Sequence, residues 1–453
     1  MIAGLKPYPE YKNSGSCWLG DVPKHWEVRN LRTFIRSRNE RNRSDLPLLS
    51  VAREKGVFVR SRTDDDNHNF IPDDLSNYKV AHAGDLVVNK MKAWQGSMGI
   101  APCDGIVSPA YFVFNFAISN RAYGQALLRS KPYVAHFSQV SDGVRIGQWD
   151  LSIPGMRQIP VLVPPPEEQV TIVKYMDWSN GRLDRAIRVK RKEITLLNEQ
   201  KQAIIHGAVT RGLDPTVPLK PSGIPWLGNV PQHWKVSRIK NEFDCLDTRR
   251  IPLNAVERGQ MTSRLYDYYG ASGVIDKVDS FIFDDELILI AEDGANLVYR
   301  NLPLAIIARG KFWVNNHAHI LRPKRGNITY LANLLETLNY APWISGAAQP
   351  KLTQDRLMSI SICVAPPSEQ DGIVNQMMGV TNPITIVIDY LKRDIELIKE
   401  YRTRLVADVV TGKLDVRDVV AQLPAEATDF AEVGLETDIL SGDADLDDEG
   451  ART

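Results

Sequence analysis

Leu183, Ile187, Lys190, Ile194, Leu197, Lys201, Ile204 and Ala208 follow one another at steps of 4, 3, 4, 3, 4, 3 and 4. Such steps return side chains to one helix face every 3.5 residues on average, the spacing of a coiled-coil seam. Adding 201 to each number gives Ile384, Ile388, Leu391, Ile395, Ile398, Arg402, Leu405 and Val409, so the seam recurs in register. Even the long cation falls at the same step, Lys201 against Arg402. One such stripe is an ordinary core-facing helix. Two with equal steps in one chain predict two helices that pair and serve as a spacer for whatever they join.

A second repeat lies upstream of each stripe. Residues 14–28 read SGSCWLGDVPKHWEV and residues 222–236 read SGIPWLGNVPQHWKV, an offset of 208. Two Trp, a Gly and a Pro in so short a frame predict a buried tether with a fixed turn. His25 and His233 invite a catalytic reading, but no carboxylate or Cys recurs beside them, so a structural anchor is the better reading. A third match, at offset 201, sets PPPEEQVTIV (164–173) against APPSEQDGIV (365–374). Prolines and early carboxylates mark a helix start, because the missing N–H costs nothing there and the dipole favours negative charge. A short helix to about Trp178 is expected, with breakers at Ser179-Asn180-Gly181 and Thr381-Asn382-Pro383 before the heptad helices begin. Gly212 and Gly412 are the expected C-caps.

Between anchor and helix each half holds over a hundred less regular residues. Strand signals occur at Leu48–Val51, Gly56–Val59, Asp85–Asn89 and Ile106–Phe116 in the first. In the second they occur at Gly273–Ile275, Phe281–Phe283, Glu286–Ala291, Leu304–Ala308 and His317–Leu321. The two inserts align poorly. Matched flanks with divergent inserts predict a duplicated scaffold carrying two different heads.

At 453 residues the chain is too long for one core. Its formal net charge of zero is misleading. Residues 421–453 hold ten Asp or Glu and one Arg (Arg452), which leaves 54 Lys or Arg against 45 Asp or Glu, a net of +9, for residues 1–420. The body is basic and the tail acidic. The tail reads as a solvated, disordered end, or more sharply as a shield for the basic surface. Met1 to Tyr11 mixes Lys, Pro and Glu, and no run approaches 18 apolar residues, so neither a signal peptide nor a membrane span is expected. Cys17, Cys103, Cys245 and Cys363 are isolated, which argues against a disulfide frame or zinc knuckle and fits a reducing cytoplasm.

The order of variable head, P-P-x-E-Q helix start and long helix, twice over, resembles the specificity (S) subunit of Type I restriction-modification systems. The resemblance covers roughly residues 8–420. Its most specific motifs are the W-L-G-x-V-P-x-H-W anchors, the P-P-x-E-Q starts and GDLVVNKMKAWQGSMGIAPCDGIVSPAYFVF (84–114), which is similar to a recurring target-recognition domain. YGASGVID with ELILIAEDGANLV is similar to another. The resemblance implies an α+β fold: two mixed α/β target-recognition domains separated by two long helices packed as an antiparallel coiled coil, in a pseudo-twofold internal repeat. The expected divisions are a first target-recognition domain (1–165), a central helical region (166–213), a second target-recognition domain (214–365), a C-terminal helical region (366–420) and the acidic tail (421–453). It implies double-stranded DNA as ligand, with each head reading half of a split site. It implies no chemistry or metal in this chain, and no bound cofactor. Adenine methylation belongs to two partner modification subunits and cleavage to restriction subunits. S-adenosylmethionine, ATP and Mg are expected on those partners.

The physics of the seam is compatible. A helix from 183 to 208 spans about 39 Å at about 1.5 Å per residue, close to the roughly 34–36 Å of one B-DNA turn. In the first head the candidate contacts are Arg53, Lys55, Arg60 and Arg62 around a strand, and Lys90, Lys92, Trp94, Gln95 and Ser97 in the loop after Asp85–Asn89. Arg and Lys suit phosphates or guanine edges, and Gln suits adenine. Ser141, Arg145 and Gln148 form a third loop; the run Asp64-Asp65-Asp66 would repel phosphate. In the second head the candidates are Ser272, Asn296, Arg300, Asn315, Asn316, His317, Gln349 and Lys351. For each, an exposed polar side chain or a structural turn is the bland alternative. Lys201 and Arg402 are expected to snorkel out of the seam, with a partner or phosphate contact as the alternative. The outer face, with Arg185, Arg188, Lys192 and Glu199, is the expected dock for partner subunits.

Enzyme motifs are missing from the sequence. There is no Walker loop, no N-P-P-[FY] and no H-E-x-x-H, and Asn382-Pro383-Ile384 reads as a helix start. Gly270-Ala271-Ser272-Gly273 falls short of a nucleophile elbow, and Pro72-Asp73 to Lys79 has the wrong spacing for a nuclease core. The competing class is a non-catalytic coiled-coil scaffold that joins proteins without reading DNA. It accounts for the helices and leaves the divergent inserts on a basic body without a reason.

Overall fold

The computed structural model describes residues 5–60, 74–142, 149–212, 214–224, 227–293, 296–300, 302–346 and 350–423. The chain divides into two compact units, residues 1–190 with 393–453 and residues 191–392. Four helices organise them: α1 (Arg121–Leu128), α2 (Pro166–Arg211), α3 (Ile328–Glu336) and α4 (Pro367–Val410). The division between units falls inside α2 and α4.

The first unit is built on a four-stranded antiparallel sheet, ordered Ile35–Arg38, Tyr111–Phe116, Leu86–Asn89, Met98–Ile100. Leu86, Val87 and Val88 are all fully buried because the sheet is covered on both faces. Leu86 and Val88 join the main core with Phe114, Phe116 and Tyr123, while Val87 turns to a second cluster with Leu49, Val107 and Val113. The second unit holds a six-stranded sheet, ordered Phe243–Cys245, Ala318–Pro323, Phe283–Ala291, Ala305–Val314, Tyr266–Gly270, Gly273–Val278. Its pairings are antiparallel except for Tyr266–Gly270 beside Ala305–Val314. The same two-sided burial recurs: Ile288 and Ile290 face one core, and Leu287 and Leu289 the other.

The structure departs from the sequence expectation at several elements. The apolar run 106–116 is two strands, Gly105–Val107 and Tyr111–Phe116, because Pro109 and its neighbours interrupt the ladder. Phe283–Ala291 is one strand where two were expected. Ser179-Asn180-Gly181 does not break its helix. Ser179 is buried and returns its hydroxyl to the Met176 carbonyl at 3.1 Å. The burial of Ile172, Tyr175 and Met176 outweighs weak local preference. Pro383 likewise lies inside α4 and does not begin it. Seam residues beyond it, Ile388 and Leu391, are buried, and that packing continues the helix past the lost N–H.

In each unit the helical segments run antiparallel. In the first, Lys190 Nζ meets Asp394 Oδ2 at 2.7 Å and Arg402 pairs with Asp184, so partner numbers fall as the others rise. In the second, Lys201 Nζ donates to Thr385 Oγ1 at 2.9 Å, and Tyr330 Oη joins the later Val209 to the earlier Ala365, donating to the Val209 carbonyl at 3.1 Å and accepting from the Ala365 N–H at 3.0 Å, so partner numbers again fall. Neither seam cation snorkels into solvent, because each finds an acceptor on the opposite helix. Of the seam positions, Ile187, Ala208, Ile388, Leu391, Ile395, Leu405 and Val409 are buried, and Leu183, Lys190, Ile194, Leu197, Lys201, Ile204, Ile384, Ile398 and Arg402 are half-buried. Their neighbours Val189, Leu196, Val387, Tyr390 and Leu397 are exposed.

The duplicated motifs meet. His25 Nε2 lies 2.7 Å from Glu168 Oε2, and Trp26 Nε1 donates to Glu168 Oε1 at 3.0 Å. In the second unit His233 Nε2 lies 2.8 Å from Glu369 Oε1, and Trp234 Nε1 donates to Oε2 at 3.2 Å. The carboxylate that the anchors lack nearby in sequence is thus the Glu of each P-P-x-E-Q start. The following Gln is used equally twice. Gln169 accepts from the N–H of Asn120, the N-cap of α1, at 3.0 Å, and Gln370 accepts from that of Asn327, the N-cap of α3, at 2.8 Å. Three residues beyond each N-cap, Tyr123 donates to the Val410 carbonyl at 3.2 Å and Tyr330 to the Val209 carbonyl at 3.1 Å. The anchor turns also agree: Gly20 and Gly228 sit at φ +68° and +66°, where a side chain would be strained.

Candidate nucleic-acid interface

In the first unit Arg53 and Lys55 occupy the exposed turn of the hairpin Leu49–Ala52/Gly56–Val59. Arg129 fixes that turn from beneath, donating to the Glu54 carbonyl at 2.8 Å, which leaves the two cations in solvent. Arg60, half-buried, continues the strand and donates its N–H to the Leu48 carbonyl at 2.8 Å. The hairpin packs on Met98–Ile100, so close that a Cβ at Gly99 would lie 2.9 Å from the Val57 nitrogen. That contact brings the turn to the same part of the fold as the second candidate loop.

That loop is ordered by its own backbone. Trp94 Nε1 donates to the Met91 carbonyl at 3.1 Å and its ring meets Trp149 edge-on at 5.2 Å. Trp94 and Gln95 are half-buried and Lys92 is exposed. Lys90 Nζ is engaged by Asp150 at 2.8 Å. Ser97 is 3% exposed, and its hydroxyl does not reach the surface in this conformation. Sequence reasoning missed Met91, an exposed apolar side chain at the loop's start. Arg62, Arg145, Gln148, Gln349, the acidic run 64–66, Trp226 and the tail 424–453 lie outside the described residues.

In the second unit three candidates serve the scaffold. Asn315 is buried, accepting from the His317 N–H at 2.8 Å. Asn296 clamps its loop by accepting from the Leu302 N–H at 2.8 Å and donating to the Leu302 carbonyl at 3.1 Å. Arg300 donates to the Leu338 carbonyl at 3.0 Å and to that of Glu336. Exposed Ser272, Asn316, His317 and Lys351 remain. Ser272 lies in the turn after Tyr266–Gly270, and Asn315 donates its N–H to the Tyr269 carbonyl at 3.0 Å, so the turn and residues 315–317 share one end of the sheet. His317 Nδ1 lies 2.8 Å from Asp293 Oδ2, and Lys351 Nζ is 3.1 Å from Glu292 Oε1. The clamped loop presents Val298, Tyr299 and Leu302, with Tyr299 72% exposed. The run LVYRNL is apolar yet has no helical or alternating period, a signal that could have found it.

Beneath this end lies a buried ionic network. His319 bridges Asp247 Oδ2 at 2.6 Å and the Leu352 carbonyl at 2.7 Å, and Arg250 pairs with Glu292 and approaches Asp247 Oδ2 at 3.5 Å. Burial pushes the Asp247 carboxyl up, but the His319 hydrogen bond and charge, the Ile320 N–H and the Arg250 charge outweigh it and hold it below its ordinary value. Glu292 is likewise raised by burial and lowered further by the Arg250 hydrogen bond, the His319 charge and Lys351. Asp247, Glu292 and His319 offer ligand atoms within 4.8 Å of one another, a set suited to a metal. Arg250 and Lys351 already supply cationic charge to it, so the network reads as a brace that fixes the sheet end and residues 351–352.

A family model for the Type I restriction modification DNA specificity domain matches residues 231–396. A Haemophilus influenzae protein described as a type I restriction enzyme specificity subunit is 37% identical over 116 residues, 25% of this chain and 29% of that relative. A Methanocaldococcus jannaschii protein described as the MjaX specificity subunit of a type I restriction enzyme is 21% identical over 92% of this chain and 100% of its own length. A chain from a solved structure concerning complex assembly and conformational transition of the type I R-M system shares the fold, with TM-score 0.58 and 13% identity over 86% of this chain and 98% of that one. No helix among the described residues is long and apolar enough to cross a membrane. Residues 231–396 thus match the DNA specificity domain of type I restriction-modification systems, and most of the chain is similar to a protein described as a specificity subunit of such a system.

Proposed function

We propose that this chain is the DNA sequence-recognition subunit of a type I restriction-modification complex. Each unit carries one target-recognition domain and reads one half of a bipartite double-stranded site, and the paired helices α2 and α4 set the gap between halves. Arg53, Lys55, Lys92 and Gln95 are the first unit's contacts; Ser272, Asn316, His317, Lys351 and Tyr299 are the second's. Cations reach phosphate or guanine, amides reach adenine, and Tyr299 offers a stacking face. Two modification subunits, carrying S-adenosylmethionine, methylate adenine, and restriction subunits with ATP and Mg cleave, all in the cytoplasm.

The observation that carries this reading is a scaffold duplicated down to single hydrogen bonds beneath two unlike sheets. A scaffold that never reads DNA would not need heads so different. Partner docking is supported by exposed apolar side chains on α4: Val380, Val387 and Tyr390 follow at steps of 7 and 3, a stripe beside the buried seam. The test is a genome methylation map with and without this gene. A bipartite adenine motif is expected to vanish on deletion, and survival of every methylated motif sinks the reading.

A further inference from the structure

The Glu–His–Trp hub occurs once in each unit, and the two copies differ in what covers them. In the first, the Glu168 side chain is 6% exposed. Tyr8 Oη donates to Glu168 Oε1 at 2.6 Å, and the ring lies 5.7 Å from both His25 and Trp26. Two stretches of chain make this cover. One is the segment 6–8, whose Lys6 carbonyl accepts from the Asp415 N–H at 2.7 Å. The other is the turn after α4, where Asp415 Oδ1 accepts from the Arg417 N–H at 3.0 Å and the Arg417 guanidinium stacks over Tyr8 at 5.1 Å.

Among the described residues, the second unit has the turn without the segment. Asp214 Oδ1 accepts from the Thr216 N–H at 2.8 Å, the counterpart of the Asp415 turn at offset 201. At the anchor offset of 208, the place of Lys6–Tyr8 falls on Asp214–Thr216, residues already spent on that turn. One linker cannot be both. Glu369 is accordingly 41% exposed and faces a pocket of about 350 Å³ bounded by Arg211, Asp214, His233, Trp234 and Gln376.

We propose that this pocket seats an extended, tyrosine-bearing segment of a partner subunit, whose phenol donates to Glu369 as Tyr8 does to Glu168. A protein segment fits better than a small molecule, because the first unit's occupant is held by its main chain as well as by its ring. The inference rests on the reading above that the chain assembles with modification subunits.

The test uses the full chain, free and assembled with those subunits. A cysteine at the exposed pocket wall, Gln376→Cys, should be alkylated at least tenfold more slowly in the complex. Gly372 lines the pocket and a Cβ there meets nothing within 4 Å, so Gly372→Trp fills the space without straining the fold, and a helical glycine is no loss. It should weaken assembly about tenfold, the effect of a lost charge-assisted hydrogen bond, at unchanged thermal stability. Equal alkylation of Gln376→Cys in a complex that forms and binds a bipartite site overturns the inference alone. Protection that grows with the concentration of this chain, without modification subunits, assigns the pocket to a second copy and overturns it too. Failure of the wild-type chain to assemble at all overturns both the inference and the reading beneath it.

Discussion

The two hubs share their chemistry and differ in their surroundings. Glu168 is sealed by Tyr8 and the turn beyond α4, and burial with the Glu168 hydrogen bond pushes the Tyr8 phenol well up, which keeps it a donor. Glu369 holds the same His–Trp pair at the edge of an open pocket. The difference teaches that an internal repeat duplicates contacts made within the repeat, but not those supplied by a segment lying outside it. The heads differ more deeply. A four-stranded sheet with satellite hairpins stands where the other unit has a six-stranded sheet, and neither aligns with its counterpart.

The hub comparison is broken most directly at its carboxylates. Glu168→Ala strands the buried Tyr8 and Trp26 donors and should cost about 3 kcal/mol or more. Glu369→Ala, half in solvent, should cost about 1 kcal/mol or less. Urea denaturation measures both, and equal losses would mean that the cover on Glu168 contributes nothing. The helix ends sharpen the same contrast. Gly212 and Gly412 both have positive φ, but a Cβ at Gly412 would lie 2.4 Å from Pro23 Cδ, whereas at Gly212 the nearest atom is Trp234 Cζ2 at 3.4 Å. Gly212→Ala should cost about 1 kcal/mol for its backbone alone. Gly412→Ala should cost about 2–3 kcal/mol, because overpacking adds to the strain. Melting temperatures that fall equally would erase the distinction.

For the heads, Lys92→Ala with Gln95→Ala should weaken discrimination at one half-site by about 1–3 kcal/mol. Asn316→Ala with Lys351→Ala should act only on the other half-site. Binding to singly mutated half-sites reads this out, and loss at both halves from either pair would show a structural loop instead. The smallest effect is acid sensitivity. Asp247 and Glu292 are held below their ordinary values of 3.8 and 4.5 in the fold. Their contribution is therefore present above those values and lost as pH falls through the lower folded ones. Calorimetry should show the second unit's transition dropping below about pH 4, near the ordinary carboxylate range. Asp247→Asn should blunt that drop, and an undiminished drop would place the sensitivity elsewhere.

Much of this architecture is readable along the chain. Heptad steps, anchor motifs and helix starts are local signals: the helix starts fall where α2 and α4 begin, and the heptad positions are buried or half-buried. The failures have local causes as well. Ser179-Asn180-Gly181 and Pro383 carry weak or strong breaking signals, and neither ends its helix once the seam and the core of the unit hold it. Among the candidate contacts, sequence pattern could not separate Asn315, Asn296 and Arg300, which bind their own loops, from Asn316 and Lys351, which reach the surface. A polar side chain in a loop looks the same in sequence whether its partner is a carbonyl 36 residues away or solvent.

The sequence by itself determined the repeat, the heptad stretches inside the two long helices and the residue types at both anchors, because periodicity and short-range turn chemistry are written in neighbouring residues. Only the tertiary structure decided that the Glu of each helix start is the missing partner of each anchor histidine, across 143 residues in one unit and 136 in the other. It also decided that one hub is closed and the other open. Those outcomes depend on which distant segments close over a site, and chain closure is a property of packing that no local pattern encodes.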